Sequence, residues 1–412
     1  MINREKILNF CDKAIYWEII IIPFVASFSS AAVDIFIGWL IFTFLIKKFT
    51  GKNKDTMQGI LDLPFILLIL ISILSFVNSI NLHSSMQGIV KLLKYGFLIA
   101  ILGREVKDKE HFKKIILSSI FGLFIGSLDG VYQLIFGVDL FRHRPYDAVI
   151  GLARLKGAFP HTNIYAGYLA LFLPLCAGLF LYFSKGKSRV YFGIVSVVAL
   201  FCLIFTFCRS AVLGFWLAML IIGIIKKDKL VVALLIVVVL IAPFLAPKGI
   251  RDWSKNTSSV AELLLNKSRF VLFETSFNMI KHHPLLGVGV NTYSLNYQKY
   301  KLHDTSEDTA NTMWYAHNSF LQMASEIGII GLLVFLYLLA KLTKYWWVFY
   351  REINDNFEKI ASLGIFMGIF AFLIHGLTET NLYYPKIATL FWFQVGFLVS
   401  LLNLDKRAAR AP

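Results

Sequence analysis

Apolar runs of membrane-crossing length recur along the whole chain and limit its fold more than any other feature. A helix needs about 20 mostly apolar residues to cross a bilayer. Runs of that kind fall near 14–30, 31–46, 63–80, 87–103, 112–137, 164–183, 190–207, 210–225, 230–247, 318–340, 359–378 and 385–403. Composition agrees: 57% of residues are hydrophobic and 16% charged, against roughly 45–50% and 25% in soluble domains. The expectation is an all-α polytopic membrane protein with about 12 transmembrane helices, the first two short enough to form a re-entrant pair instead. Arg4 and Lys6 before an apolar run resemble a signal peptide, but no A-x-A site precedes the next run, so an uncleaved first span is expected.

One long polar interval breaks this pattern, Lys248 to His317, with His282, His283, His303 and His317 among the nine histidines. The expected divisions are helices one to nine over 1–247, a large loop over 248–317, three more helices over 318–403 and a tail over 404–412.

The net charge of +16 is a topology signal, because Lys and Arg mark cytoplasmic loops. With both termini in the cytoplasm, 25 of the 41 basic residues fall in inner segments such as Lys47/Lys48/Lys52/Lys54, Lys185/Lys187/Arg189 and Lys226/Lys227/Lys229, and 14 fall outside over longer stretches. Nucleic acid is therefore not an expected partner, while membrane lipid is. The same count places 248–317 and 138–163 outside. Cys11, Cys176, Cys202 and Cys208 form no CxxC and fall in or beside apolar runs, so they read as small core residues.

Three outer residues are candidates for chemistry. Arg209 sits in a short turn between two spans, at a depth where a charge is costly and usually functional; the alternative is an arginine snorkelling to the headgroups. Arg269 belongs to an amphipathic helix with Leu263, Phe270, Phe273, Phe277 and Ile280 at helical spacing, a Ser259/Glu262 capping box, and His283-Pro284 as its stop. Such a helix can lie on the membrane face, with Arg269 a functional group or an interfacial anchor. His317 stands where the loop re-enters the bilayer, as a base or as a capping histidine. Arginine grips a diphosphate bidentately and stays charged, and a histidine can deprotonate an acceptor hydroxyl. Outside the cytoplasm a sugar donor must arrive already activated, which a lipid diphosphate provides, and in-line displacement would invert the anomeric centre. Arg154, Lys156, His161 and Asn163 close the second outer loop and are candidate substrate-binding residues, as is Asn318; a plain helix start is the alternative for 160–163. Lys91 and Lys94 lie within a span, either paired or snorkelling. The tract Lys299–Thr312 is expected to be mobile and to close over substrate. There is no Asp-x-Asp, P-loop, G-x-S-x-G or HExxH. No metal or other cofactor is expected; the His303–Asp308 stretch reads as a solvated loop.

Phe159-Pro-His-Thr-Asn163, Thr206-Phe-Cys-Arg-Ser-Ala211, Ser268-Arg269, His283-Pro-Leu-Leu-Gly-Val-Gly289 and His317-Asn-Ser-Phe-Leu-Gln322, followed by Glu326-Ile-Gly328 and Gly331, occur in that order. In these pieces the chain resembles the O-antigen ligase and polymerase superfamily of bacterial envelope glycosyltransferases. The resemblance implies the GT-C membrane fold with a helical periplasmic loop, in the bacterial inner membrane. It implies metal-independent transfer of a polysaccharide from undecaprenyl diphosphate to a lipid A-core acceptor on the periplasmic face. It also implies that Arg209 and Arg269 engage the donor diphosphate and that His317 is the base. Cys208 departs from the small Ser or Gly that many members carry before this arginine. A polymerase of the same superfamily is the nearest alternative, and a lipid-linked sugar transporter is one of a different class.

Overall fold

The structure, a computed structural model, describes residues 4–51, 59–149, 152–183, 185–245, 267–303 and 314–408. Lys52, Lys54, the Ser259/Glu262 capping box, Leu263, the acidic residues Asp304, Glu307 and Asp308, and the last four residues lie outside that description.

Helices dominate. They are α1 (Arg4–Val25), α2 (Ser30–Thr50), α3 (Asp62–Leu74, continued by a 3-10 turn to Asn78), α4 (Leu82–Glu105), α5 (Lys109–Phe136), α6 (Thr162–Tyr182), α7 (Gly186–Phe205), α8 (Arg209–Ile225), α9 (Lys229–Leu245), α10 (Lys267–His282), α11 (Tyr293–Tyr300), α12 (Ser319–Glu352), α13 (Asn356–His375) and α14 (Pro385–Ala408). Every apolar run expected to span coincides with one of them. Among the described residues eight helices are long and apolar enough to cross a membrane: α2, α4, α5, α6, α7, α12, α13 and α14. The apolar helices over Asp62–Asn78, Arg209–Ile225 and Lys229–Val238 are shorter. At 22 and 21 residues α1 and α2 are separate helices, each about 30 Å long. Leu230, Leu234 and Val238 on α9, and Ile35 and Phe42 on α2, point outward, as lipid-facing side chains do.

Polar caps set the helix ends. Ser29, Asn81, Asp108 and Asp355 accept backbone N–H groups at the starts of α2, α4, α5 and α13. Lys47 pairs with Asp12 at 2.7 Å and Glu105 at 2.5 Å, tying α1, α2 and α4 together. The two lysines within a span are both paired: Lys91 with the Asn291 side chain at 3.0 Å and Lys94 with Asp34 at 3.1 Å.

Helices α6, α8 and α13 pack closely. Gly364 and Gly368 of α13 form a G-xxx-G face against α6: a Cβ on Gly364 would stand 2.6 Å from Leu175 Cα, and one on Gly368 would collide with the Leu171 carbonyl oxygen. Gly214 of α8 meets α13 in the same way, 2.5 Å from the Ala371 carbonyl oxygen. Small residues let membrane helices approach where no hydrophobic drive exists between them. The N-terminal ends of α6 and α8 and the C-terminal end of α13 all lie at the candidate site.

The link between α5 and α6 holds a small two-stranded antiparallel ribbon, β1 (Asp147–Val149) and β2 (Leu152–Arg154), paired Asp147 to Arg154, which the all-helical reading did not include. Asp139 folds the approach to it by accepting from the backbone of Phe141, Arg142 and Arg144.

The described part of the large loop has its own core of Leu272, Met279, Val288, Tyr293, Tyr297, Tyr300, Trp314 and Ala316. Tyr297 stacks on Trp314 at 4.8 Å. Here α10 departs from expectation: Leu272, Thr275, Ser276 and Met279 are buried, while Phe270 and Phe277 of the predicted apolar stripe are exposed. The packed face is the semi-polar one, whose hydroxyls bond internally, and the phenylalanines point away from it. Arg269 lies three and seven residues before Leu272 and Ser276, hence on the packed face.

Helix α12 is broken at Gly328, where φ is 74° and ψ is 176°. The break frees carbonyls that the segment 284–292 uses. Val288 N–H donates to Ser325 O at 2.8 Å, Gly289 N–H to Glu326 O at 3.0 Å, and Ile329 N–H to Pro284 O at 2.8 Å. The buried Glu326 carboxylate accepts from the backbone of Asn291 and Tyr293. On the other side Asn78, Ser75 and Ser85 bond to Gly287 and Val290. Gly287 and Gly328 both have positive φ, and a Cβ on either would strike the opposing backbone. The Pro-Leu-Leu-Gly-Val-Gly and Glu-Ile-Gly pieces are thus the two halves of one clasp.

Candidate active site

A carboxylate that the sequence reading passed over stands at the centre. Glu379 is in the turn between α13 and α14 and is 2% exposed. Its Oε1 accepts from Asn163 Nδ2 at 2.5 Å and from Arg269 Nη2. Its Oε2 faces His317 Nδ1 at 3.0 Å. Burial pushes this carboxyl up, but the hydrogen bond and charge of His317, with Arg269 and His375, outweigh it and hold the group below its usual range. An ionised carboxylate can only accept, so the His317 proton sits on Nδ1 and a neutral imidazole keeps its lone pair on Nε2.

Each contributor is placed by its element. Asn163 is in the first turn of α6, behind His161, the N-cap residue, which makes no side-chain capping bond. Arg269 comes from the inward face of α10. His317 precedes the N-cap of α12 with φ 45°. Asn318 fills that cap, its Oδ1 accepting from Phe320 N–H at 2.9 Å and Leu321 N–H at 3.0 Å, so His317 itself does no capping. The turn bearing Glu379 is locked to α12 by Ser319, whose N–H and Oγ both donate to the Glu379 carbonyl.

Arg209 is the first residue of α8, exposed, and within electrostatic reach of Arg269 and Arg154. Arg154 links this turn to the carboxylate: its Nε donates to Thr206 O at 2.8 Å and its Nη2 to Asn163 Oδ1 at 2.6 Å. A hydrogen-bonded path therefore runs from Thr206 through Arg154, Asn163 and Glu379 to His317. Lys156 is drawn aside into an ion pair with Asp147 at 2.5 Å.

Cys208, the residue before Arg209, is buried with its Sγ 3.2 Å from His375 Nε2, and His375 Nδ1 is 2.8 Å from Asn381 Nδ2. Burial raises the thiol, and His375 more than offsets this, holding it below the usual thiol range. Thr378 Oγ1 donates to Ser210 Oγ at 2.6 Å. Two contacts thus tie the Arg209 turn to the Glu379 turn. All four cysteines are free and buried. Among the described residues no group of three His, Cys, Asp or Glu side chains is placed to hold a metal ion.

Fold and site define a multi-pass membrane protein with a basic, histidine-bearing cluster at one end of its helices. Residues 194–336 match the family model described as O-Antigen ligase, so the resemblance drawn from the motifs is borne out over that stretch. The match implies a glycosyl-transferring enzyme whose substrates are lipid-linked glycans. It spans Arg209, Arg269 and His317, whereas Arg154, Asn163 and Glu379 lie outside it. No curated protein matches the chain.

Proposed function

We propose that this protein is an O-antigen ligase of the bacterial inner membrane, with 12 transmembrane helices in a GT-C-like arrangement, cytoplasmic termini and a periplasmic active site. It transfers a polysaccharide from undecaprenyl diphosphate to a lipid A-core acceptor. The observation that carries the reading is the meeting of His317, Arg269 and Asn163 on one buried carboxylate, Glu379, with Arg209 and Arg154 alongside.

Arg269 pairs with Glu379, and Arg209 lies within electrostatic reach of Arg269 and Arg154, so three guanidiniums share one buried carboxylate, an excess of positive charge suited to a diphosphate. Arg209 and Arg269 bind the donor diphosphate and stabilise it as it leaves. Glu379 orients His317, and Nε2 takes the proton from the acceptor hydroxyl as its oxygen attacks the anomeric carbon. The carbon–oxygen bond to the diphosphate breaks, and the configuration inverts. Arg154 and Asn163 hold the Arg209 turn and Glu379 in register.

The test is substitution of Arg209, Arg269 and His317 singly by Ala in cells. Loss of polysaccharide-capped lipopolysaccharide, at normal protein level, is expected for each; full capping in all three sinks the assignment. Deleting the gene separates ligase from polymerase, since long chains accumulate on the carrier when a ligase is lost and single repeat units when a polymerase is lost.

A further inference from the structure

Three aromatic rings form a row beside Glu379 that the chemistry above does not use. Tyr315 and Tyr384 lie with centroids 5.8 Å apart and planes at 41°, and His161 is 6.4 Å beyond Tyr384 at 58°. Each comes from a different segment already converging on the site: His161 is two residues before Asn163, Tyr315 two before His317, and Tyr384 five after Glu379.

Trp314 and Ala316 are buried in the outer core, while Tyr315 and His317 are partly exposed. His317 itself turns at φ 45°, and Tyr315, two residues before it, is brought to the site by its ring contact with Tyr384. Ala316 is pinned by its N–H to Gln322 Oε1 at 3.1 Å. Tyr384 is half-buried and follows the short 3-10 turn Asn381–Tyr383, whose Asn381 and Leu382 are packed inside. Among the described residues neither the Tyr315 nor the Tyr384 hydroxyl makes a hydrogen bond. His161 is exposed, and its ring is free of capping duty.

Aromatic side chains at a membrane surface often serve as headgroup anchors. Tyr315 and His161 each pack on Tyr384 from a separate segment and border the catalytic cluster, which is not the geometry of a lipid-facing belt. A partly exposed tyrosine offers an apolar face and a polar tip on a rigid stem. A pyranose is complementary to both, with C–H groups on the faces of its ring and hydroxyls around its edge.

We infer that Tyr315, Tyr384 and His161 form a carbohydrate subsite, a platform that seats a sugar ring of the acceptor glycan with its reacting hydroxyl towards His317 Nε2. This rests on the proposed glycosyl transfer and assigns the acceptor's place within it. Tyr315 and Tyr384 supply ring faces, and their hydroxyls meet the sugar's own.

The experiment uses the full chain in nanodiscs, with undecaprenyl-diphosphate-linked polysaccharide as donor, lipid A-core as acceptor, and undecaprenyl diphosphate alone as a binding probe. Tyr384→Ala and Tyr315→Ala are expected to raise KM for the acceptor by about tenfold, with kcat changed by much less. Binding of undecaprenyl diphosphate and KM for the donor stay as in the wild type. Tyr384→Phe keeps most acceptor affinity, and Tyr384→Leu, which keeps apolar bulk without a ring, loses it. The Leu and Phe variants decide the matter should Ala lower the melting temperature. An unchanged acceptor KM, a rise in donor KM instead, or equal behaviour of Leu and Phe overturns the platform. Arg269→Ala serves as the separate control: if it still binds undecaprenyl diphosphate and turns over normally, the glycosyl-transfer reading itself falls. If it loses both while the tyrosine variants bind acceptor normally, only the platform falls.

Discussion

Replacing Glu379 by Gln keeps the shape of the side chain and exchanges one acceptor oxygen for a donor. The outcome is set by geometry, because the carboxylate receives three donors on two oxygens: Asn163 and Arg269 on Oε1, His317 on Oε2. Turning the new NH2 towards Asn163 and Arg269 would set a donor against two donors, one of them charged. Each buried group so orphaned costs about 1–3 kcal/mol, more where a charge is involved. Turning it towards His317 costs less, because the imidazole can move its proton from Nδ1 to Nε2 and accept instead. The second arrangement wins, and it removes the lone pair from the atom that faces the acceptor. Folding should survive, with a stability loss of about 1–3 kcal/mol from the weakened Arg269 contact. Catalysis should fall by about 10³–10⁴, the effect of a mis-set tautomer where a carboxylate orients a catalytic histidine, or about 4–5.5 kcal/mol of barrier. Initial rates of polysaccharide transfer to lipid A-core, with the melting temperature measured in parallel, test this. A Glu379→Gln protein that melts normally and keeps kcat within tenfold of wild type would falsify the orienting role. Glu379→Asp, one methylene shorter, should fall between the two, since it cannot reach Asn163, Arg269 and His317 together.

Other outcomes rest on the same contacts. Gly328→Ala must carry a Cβ at φ 74° against the Leu285 carbonyl, a left-handed cost of about 1–2 kcal/mol before the clash; its membrane level and melting temperature should drop well below those of Gly331→Ala, whose nearest neighbours are atoms of the Ile327 side chain rather than backbone. Asn318→Ala removes the cap bonds to Phe320 and Leu321 and should lower stability by about 1 kcal/mol, seen as a lower denaturant midpoint. Arg154→Lys loses the fork that bridges Thr206 and Asn163 and should reduce transfer while protein level holds; wild-type rates would refute the bridging role. Glu379 is held below its usual range in the folded protein, so its stabilisation is present above the ordinary carboxylate pKa near 4.3 and is lost as pH falls through the lower folded value. Thermal scans should show stability falling on that acid limb, and the limb should be shallower in Glu379→Gln.

Much of the fold is legible in the sequence. The helices follow from the length of the apolar runs, and Arg209, Arg269 and His317 stand out because charge and imidazole at a membrane boundary are expensive. Glu379 escapes notice because it sits in a four-residue polar link, Thr378-Glu-Thr-Asn381, between two runs and belongs to no motif. A signal is present all the same: it is an acidic residue at the edge of an apolar run, and intramembrane His375 four residues earlier marks the same stretch. The inward face of α10 is hidden for a different reason. Periodicity locates a stripe, but whether that stripe meets protein or lipid depends on neighbours brought in from elsewhere. Asn163 and Asn318 look alike at the starts of two helices, and only tertiary contacts make one a ligand of Glu379 and the other a cap.

The clasp at Gly328 bears on how far such a protein can be altered. The first turns of α12, which present His317, are held through Ser325 and Glu326 to a segment more than thirty residues earlier. Side chains along that segment can be exchanged wherever the backbone bonds are kept. Its length cannot, because one residue inserted between Pro284 and Asn291 breaks the register between the Pro284 carbonyl at one end and the donors that follow, so that both ends cannot meet α12 together. A library that varies loop composition here should yield working enzymes, and one that varies loop length should not.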